Sequence, residues 1–271
     1  MILSVINQKG GVGKTTTAIN TAAALAQWGH KTLLVDLDPQ GNATSGCGVV
    51  PSEIAGPSLY QSLLAIQEED GELLRPGVAA TAIAGLSVVG ASPELAGSEV
   101  ELADNPRRDG LRRILGAMKE EFAFIIIDTP PSLSLLTVNS LVAADRLIIP
   151  VQCEYFALEG LGHLLRTMEK IRRFLNPDLV VMGLLRTMFD ARLALSSQVS
   201  QELESHFSEL VFKTIIPRNV RLAEAPSYGK PIALHDRRSV GADAYRRLAV
   251  EVLARADKKP SFMPGPVTDA A

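Results

Sequence analysis

Short, mostly apolar runs recur along the chain. Because a strand covered on both faces is apolar at successive positions, each run predicts a buried strand of a parallel sheet. The runs occupy residues 2–7, 32–35, 86–89, 124–127, 146–151, 179–185 and 211–216. The pattern therefore predicts a sheet that lies in the interior of the protein, with both of its faces covered.

Stretches with helical periodicity separate these runs. Within residues 157–174, for example, the apolar positions 158, 161, 164, 165, 168 and 171 form one stripe. Further helices are predicted over residues 14–28, 58–66, 107–121, 193–207 and 240–256. Residues 37–57 are predicted to be a loop, and residues 258–271 a flexible tail. The alternation predicts a single α/β domain over residues 1–257, a mostly parallel twisted sheet with helices on both faces.

Composition narrows the class of protein. Of the 271 residues, 46% are apolar and 21% charged, which excludes a disordered, collagen-like or disulfide-scaffold chain. Two cysteines and the absence of an apolar leader or membrane-length segment lead us to expect a cytoplasmic protein that does not bind membranes. The net charge of −3 argues against a general polyanion binder. However, residues 1–150 hold 10 Lys and Arg against 16 Asp and Glu, whereas residues 151–271 hold 17 against 14.

A glycine-rich loop between the first strand and the first helix carries the clearest chemical signal. It reads Gln8-Lys9-Gly10-Gly11-Val12-Gly13-Lys14-Thr15-Thr16. Its ending fits the phosphate-binding pattern G-x-x-x-x-G-K-[ST], but Gln8 stands where that pattern has its first glycine. The three glycines still let backbone N–H groups surround phosphate oxygens at a helix N-terminus. We therefore predict a nucleotide phosphate site.

The side chains that follow the glycines predict the rest of that site. Lys14 would reach the β- and γ-phosphates, and the Thr15 hydroxyl would ligate Mg²⁺. Thr16 is placed to contact the α-phosphate. The alternative is a glycine-rich strand–helix turn with an exposed lysine, which the strand before it and the helix after it disfavour.

Carboxylates follow two of the predicted strands. Loops at the carboxyl ends of strands face the ligand in an open α/β sheet. If its strand neighbours that of the phosphate loop, Asp38 would orient the attacking water or hold Mg²⁺ through water. Asp36 is assigned a turn or cap role. Asp128, at the end of an apolar run, is typical of a Walker B aspartate near Mg²⁺. The alternative is that Asp128 only starts a turn before Pro130.

The segment K-G-G-x-G-K-[ST] at residues 9–15 resembles the deviant Walker A motif of the ParA/MinD family of P-loop ATPases. This resemblance implies ATP as the nucleotide and a special role for Lys9, which in the family reaches across a dimer interface to the partner subunit's ATP. The residues alone indicate only a second cation beside a phosphate site, or a solvated turn lysine.

The resemblance covers most of residues 1–250 and is strongest to the ParA/Soj chromosome-partitioning branch. It rests on the strings LLVDLDPQGNAT, FIIIDTPPSLSLLTVNSL, IPVQCEYFALEGLGHLL and IPRNVRLAEAPSYGKPI. It implies that Met188, Pro217, Arg218 and Asn219 enclose the adenine, where a core or turn role is the alternative for each. It also implies nonspecific binding of double-stranded DNA through Arg192 and Arg221, either of which could instead be a solvated surface charge.

The family's mode of action sets the functional expectation. A cytoplasmic ATPase would form an ATP-dependent homodimer on nucleoid DNA, and a ParB-like centromere-binding protein would stimulate hydrolysis and release it. One alternative is a MinD-like positioning ATPase, although the proline-containing end of the chain does not suit a basic membrane helix. Another is a metal-cluster or reductase component, which the positions of Cys47 and Cys153 disfavour because neither lies in 128–136.

Overall fold

The computed structural model describes residues 1–66, 73–101 and 108–257, and the backbone alone for residues 98–100. Its strands are β1 (Ile2–Val5), β2 (Thr32–Asp36), β3 (Ala79–Ala80), β4 (Leu86–Val89), β5 (Phe124–Asp128), β6 (Arg146–Gln152), β7 (Val180–Phe189) and β8 (Val211–Pro217). They form one sheet in the order β3-β4-β2-β5-β1-β6-β7-β8. The short edge strand β3 runs antiparallel to β4, and the other neighbours are parallel.

Helices connect these strands. They are α1 (Lys14–Gln27), α2 (Asn42–Gly46), α3 (Leu59–Ala65), α4 (Leu95–Glu101), α5 (Gly110–Gly116), α6 (Leu135–Ala143), α7 (Ala157–Phe174), α8 (Ala194–Phe207), α9 (Val220–Glu224), α10 (Ile232–His235) and α11 (Val240–Ala256). Two 3₁₀ turns, Pro51–Glu53 and Ala225–Tyr228, complete the connections in the described residues.

Buried strand residues point alternately to apolar cores on the two faces of the sheet. In β2, Leu34 belongs to the core beneath α1 and α11, whereas Leu33 and Val35 belong to the core of the opposite face. Because both faces are covered, each of these strand residues is fully buried. The predicted α/β architecture is confirmed.

Several predictions of local structure need correction. The predicted loop 37–57 contains α2 and a 3₁₀ turn, since a short helix can form around the Gly41–Asn42 turn. The predicted helix 107–121 is helical only over Gly110–Gly116, with residue 107 outside the described residues. The first strand ends at Val5 rather than at residue 7, because the chain turns there into the glycine-rich loop. The predicted tail 258–271 lies outside the described residues.

Candidate nucleotide site and basic surface

The sheet order brings the predicted phosphate loop and the predicted carboxylates to one edge. β5 lies between β1 and β2, so that Val5 is in register with Asp128, and Asp128 with Asp36. Since all three strands are parallel, their carboxyl ends meet at this edge. The condition that the strand of Asp38 neighbours that of the phosphate loop is not met, because β5 lies between β2 and β1. Asp38 nevertheless follows a strand that ends at the same edge of the sheet as the phosphate loop.

The loop itself has the backbone that its glycines predict. Gly11 and Gly13 have φ values of 74° and 87°, a region that side chains with a Cβ rarely adopt. The Gly13 carbonyl accepts the first helical hydrogen bond from the Thr17 N–H at 2.9 Å. From the other side, the Thr187 hydroxyl of β7 donates to the Val12 carbonyl at 2.8 Å. The loop is thereby fixed at the start of α1, where backbone N–H groups favour an anion.

Lys14 lies inside this loop with only 6% of its surface exposed. Its ammonium donates to the Lys9 carbonyl at 3.1 Å. Burial lowers the pKa of Lys14, while the carboxylates of Asp128 and Asp38 oppose that change. A buried ammonium held by a carbonyl, with acidic neighbours, is stabilised further by an anion such as phosphate.

Asp128 is the most unusual carboxylate of the site. It is fully buried, and no hydrogen bond of ordinary geometry reaches either Oδ atom from the residues that the structure describes. Burial raises the pKa of Asp128 well above its usual range and Asp36 raises it further, while the facing Thr15 side chain and Lys14 oppose the shift. Buried carboxylates without partners are costly unless a cation balances them. The Asp128 carboxylate and the Thr15 hydroxyl are oxygen ligands of the kind that Mg²⁺ prefers, and such an ion would supply the balancing charge.

Asp36 and Asp38 differ in what they contact. Asp36 Oδ2 accepts hydrogen bonds from both the backbone N–H and the hydroxyl of Thr44, each at 2.7 Å. Asp38 Oδ1 accepts from the Gln40 N–H at 3.0 Å, and 7% of Asp38 is exposed. Burial raises the pKa of Asp36 to about 6 despite these bonds. Asp36 thus ties the β2 end to α2, as its predicted cap role requires, and Asp38 is the member of the pair that retains access to solvent.

Lys9 points away from the buried interior. Its ammonium pairs with the Glu154 carboxylate at 2.6 Å, and nearly half of each side chain is exposed. Its backbone N–H donates to Asn7 Oδ1 at 2.9 Å. An exposed pair of this kind adds only about 0.2–1 kcal/mol to stability, so Lys9 can exchange it for another anion at low cost.

The four residues predicted around adenine lie at the ends of β7 and β8, but only two of them line the same cavity. Met188 and Arg218 line one cavity of about 420 Å³. Pro217 is in register with Phe189, next to this cavity, without lining it. The Asn219 side chain caps α9 by accepting the Leu222 N–H at 3.2 Å. The structure therefore brings Met188 and Arg218 together and gives Asn219 the alternative, structural contact.

Sequence reasoning missed most of the residues that line this cavity. They are Gln152, Cys153, Glu154, Tyr155, Phe156, Leu193, Leu195 and Ser196. Tyr155 and Phe156 are largely exposed and stack edge to face, with ring centroids 5.0 Å apart. Two adjacent exposed aromatic residues directly after a strand were the available signal, because such residues are seldom left in water without a role.

The two arginines predicted to bind DNA are both exposed and both paired with acids. Arg192 binds Asp190 through Nε at 2.8 Å and Nη2 at 2.7 Å. Arg221 contacts Glu224 at 3.0 Å and Asp236 at 3.6 Å. Their exposure fits contact with a large anionic partner, although each must exchange an internal ion pair to make it.

The cysteines lie apart in two different apolar cores. Burial raises the pKa of the Cys47 thiol to about 12 and that of Cys153 to about 11. Both thiols therefore stay protonated at neutral pH.

Over the described ranges, we find no helix with the length and apolar character needed to span a membrane.

Comparison with known proteins extends these observations. A family model described as an AAA domain matches residues 1–181. The chain is 50% identical over 254 residues to the sporulation initiation inhibitor protein Soj of Bacillus subtilis, which covers 93% of this chain and 98% of that protein. It is 52% identical over 255 residues to the chromosome-partitioning ATPase Soj of Thermus thermophilus, covering 93% and 95%.

A solved structure resembles the whole fold. The cobyrinic acid a,c-diamide synthase of Mycobacterium smegmatis with bound ADP and magnesium superposes with a TM-score of 0.78. The two proteins share 36% sequence identity over 97% of this chain and 99% of that one. The fold that surrounds the phosphate loop here thus occurs in a protein that holds a nucleotide and Mg²⁺.

Proposed function

The chain belongs to the Soj/ParA family of chromosome-partitioning ATPases, and we propose that ATP joins two of its subunits into a form that binds DNA without sequence preference. Hydrolysis, stimulated by a ParB-like centromere-binding partner, then releases the DNA, and repeated cycles of binding and release position it. The single observation that carries the proposal is that Lys14 and Asp128 are both buried beside the glycine loop. The 45–52% identity to partitioning proteins supports it.

ATP and Mg²⁺ are the ligands of the phosphate site. The backbone of residues 10–13, together with Lys14, Thr15 and Thr16, would hold the phosphates. Thr15 and Asp128 would hold Mg²⁺, with Asp38 contributing through water. The ion, when bound, neutralises charge that develops on the phosphate oxygens during transfer.

Asp38 is the residue to which we assign the attacking water. It lies at the same sheet edge as the phosphate loop, and unlike Asp128 it keeps some contact with solvent. A carboxylate oxygen at this position orients the water and accepts its proton. Lys14 stabilises the charge of the phosphate at the same time.

The dimer depends on Lys9 in this proposal. Lys14 already serves the phosphates of its own subunit, which leaves the exposed Lys9 for the nucleotide of the second copy. Its present partner, Glu154, is exposed too, so the exchange of Glu154 for a phosphate costs little desolvation. Met188, Pro217, Arg218 and Asn219 are proposed to surround the base.

In this proposal, DNA binding depends on the pairing of two subunits. The protein has a net charge of −3, so a single subunit attracts DNA weakly. Two copies double the number of exposed arginines at positions 192 and 221, and neither offers a motif for reading bases. The nucleotide state therefore controls affinity for DNA, and the ATP-bound form associates with the nucleoid.

The test is a salt titration of binding to two unrelated duplexes, with ATP and with ADP. We expect equal affinities for both duplexes, tight binding only with ATP, and a salt slope that flattens by up to about 3.6 in Arg192→Ala/Arg221→Ala, since four phosphate contacts are lost. ATP-driven dimerisation of the double variant, followed by light scattering, is the control. Strong sequence preference, or full binding by the double variant, would refute the proposal.

A further inference from the structure

Arg192 is held by Asp190 with unusually complete geometry for a surface residue. Asp190 Oδ1 accepts from the Arg192 backbone N–H at 3.1 Å and from Nε at 2.8 Å, while Oδ2 accepts from Nη2 at 2.7 Å. The Arg192 side chain is 87% exposed, but that of Asp190 is only 13% exposed. The guanidinium thus faces solvent while its carboxylate partner lies beneath it.

Asp190 is close in sequence to a residue that lines the candidate base cavity. It follows Met188, which lines the cavity and, with a φ of 49°, is the one non-glycine residue with positive φ in the part of the chain that the structure describes. Between them, the Phe189 carbonyl accepts the Arg218 N–H at 3.0 Å. Hydrogen bonds from Arg192 lower the pKa of Asp190 to about 2, and Arg218 adds to the shift. Asp190 is therefore ionised at any physiological pH.

We propose that Asp190 is a positioning residue that restrains Arg192, so that a DNA phosphate reaches the Nε–Nη2 edge of Arg192 only by displacing the Asp190 carboxylate. This inference rests on the proposed DNA-binding role of Arg192. A bidentate carboxylate offers the guanidinium the same fork of acceptor oxygens that a phosphate would offer. The two anions compete for one cation, and Asp190 sets how tightly DNA is held.

The second arginine has a looser arrangement. Arg221 contacts Glu224 at 3.0 Å and Asp236 at 3.6 Å through different nitrogens, and Glu224 also lies 3.8 Å from His235. Neither acid holds Arg221 in a two-oxygen fork in these contacts. The restraint therefore acts mainly at Arg192.

The competition between Asp190 and a DNA phosphate for Arg192 changes how DNA affinity depends on salt. A phosphate that binds a free arginine releases a condensed cation, which contributes about 0.9 to the log–log salt slope. When Arg192 leaves Asp190, however, the freed carboxylate takes up a cation and offsets part of that release. Removing the charge of Asp190 should therefore both tighten DNA binding and steepen its salt dependence.

The experiment compares Asp190→Asn with the wild type in ATP, by salt titration of binding to a single duplex. Asparagine keeps the oxygen that accepts the Arg192 N–H, so the local turn is retained. From the strength of exposed ion pairs, we expect affinity to rise by about 2- to 30-fold for a dimer with two such sites. We expect the slope to steepen by up to about 1.8 for the two arginines. Asp190→Glu should stay close to the wild type.

Two controls make the result specific. Glu209→Gln removes an exposed negative charge just before β8, at the opposite end of the sheet from Asp190, and should leave affinity unchanged. In the Arg192→Ala background, Asp190→Asn should have no effect, since no guanidinium remains to be released.

The outcomes separate this inference from the proposed function. If Arg192→Ala alone leaves DNA binding intact, the proposed DNA surface is wrong, and the restraint falls with it. If Arg192→Ala weakens binding but Asp190→Asn changes neither affinity nor slope, the restraint alone is wrong. It is also overturned if Asp190→Asn tightens binding equally in the Arg192→Ala background, because the effect would then be long-range charge.

Discussion

Two aspartates beside the phosphate loop and one aspartate on the surface beyond β7 lie at the same end of the sheet, but their electrostatic environments are opposite. Beside the phosphate loop, burial raises the pKa of Asp36 to about 6 and that of Asp128 well above its usual range. On the surface beyond β7, hydrogen bonds from Arg192 lower the pKa of Asp190 to about 2. The difference arises because burial disfavours the charged forms of Asp36 and Asp128, whereas Arg192 stabilises the charged form of Asp190 from within the same loop.

This difference separates two kinds of binding site. The buried aspartates are stabilised by a bound cation, which also balances the charge of the phosphates. The surface group is already satisfied, so a new anion must compete with an existing ion pair. The nucleotide site should therefore respond to variants by losing binding outright, and the basic surface by graded changes in affinity.

The largest effect is expected for Lys14→Ala, which removes the buried ammonium from the phosphate loop. Asp128 and Asp38 would then face the phosphates without that cation, and ATP binding should be lost in calorimetry. Lys31→Ala, which alters an exposed lysine at the other end of the sheet, is the matched control and should bind normally. Unchanged affinity in Lys14→Ala would refute the site.

Asp38→Ala should separate binding from chemistry. A carboxylate that orients water acts mainly in the transition state, so hydrolysis should slow by about 10²-fold or more while ATP affinity stays near the wild-type value. Single-turnover hydrolysis and size-exclusion chromatography measure the two effects, and the variant should accumulate as an ATP-bound dimer. Hydrolysis at the wild-type rate would exclude Asp38 and make Asp36 the next candidate.

Lys9→Ala should affect assembly more than nucleotide binding. Loss of a charge-assisted contact to the partner's phosphate should weaken ATP-dependent dimerisation by about 10- to 100-fold, as followed by analytical ultracentrifugation. Glu154→Gln removes the internal partner of Lys9 and serves as the comparison, since it should not weaken the dimer. Equal dimerisation of Lys9→Ala and wild type would contradict the proposed contact between Lys9 and the nucleotide of the second subunit.

The smallest effect is a pH dependence of stability in the nucleotide-free protein. The pKa of Asp36 is about 6 in the folded state against an ordinary value of 3.8, so the folded state binds more protons between these pH values. The free energy of unfolding should therefore fall as pH rises from about 4 to about 6, by about 1–2 kcal/mol from this group. Asp36→Asn should lack that part of the decline in urea denaturation. Parallel pH curves for the two proteins would contradict this assignment.

The phosphate loop was the most predictable part of the site. Glycine conformation and helix N-terminal chemistry are local, so Gly11, Gly13 and Lys14 could be placed from a few consecutive residues. The seven predicted strands were found for a similar reason, because each is a short, mostly apolar run. The edge strand β3 was missed, since two alanines carry no such pattern.

Contacts between distant segments could not be predicted. The Thr187–Val12 bond and the Lys9–Glu154 pair join residues that are 175 and 145 positions apart. They depend on the sheet order, which apolar runs do not specify. The helix α6 also escaped prediction, although Ser134 caps it by accepting the Thr137 N–H, because Pro130 and Pro131 draw attention to a turn.

The central claim, that ATP creates the DNA-binding form by joining two subunits, is tested most directly with Asp38→Ala held in ATP. Fluorescence anisotropy of one labelled duplex is measured against protein concentration, with ATP and with ADP, and sedimentation reports the mass bound. We expect binding in ATP alone, steep in protein concentration, with two subunits in the complex. Equal binding with ADP, or binding of a single subunit, would contradict the account.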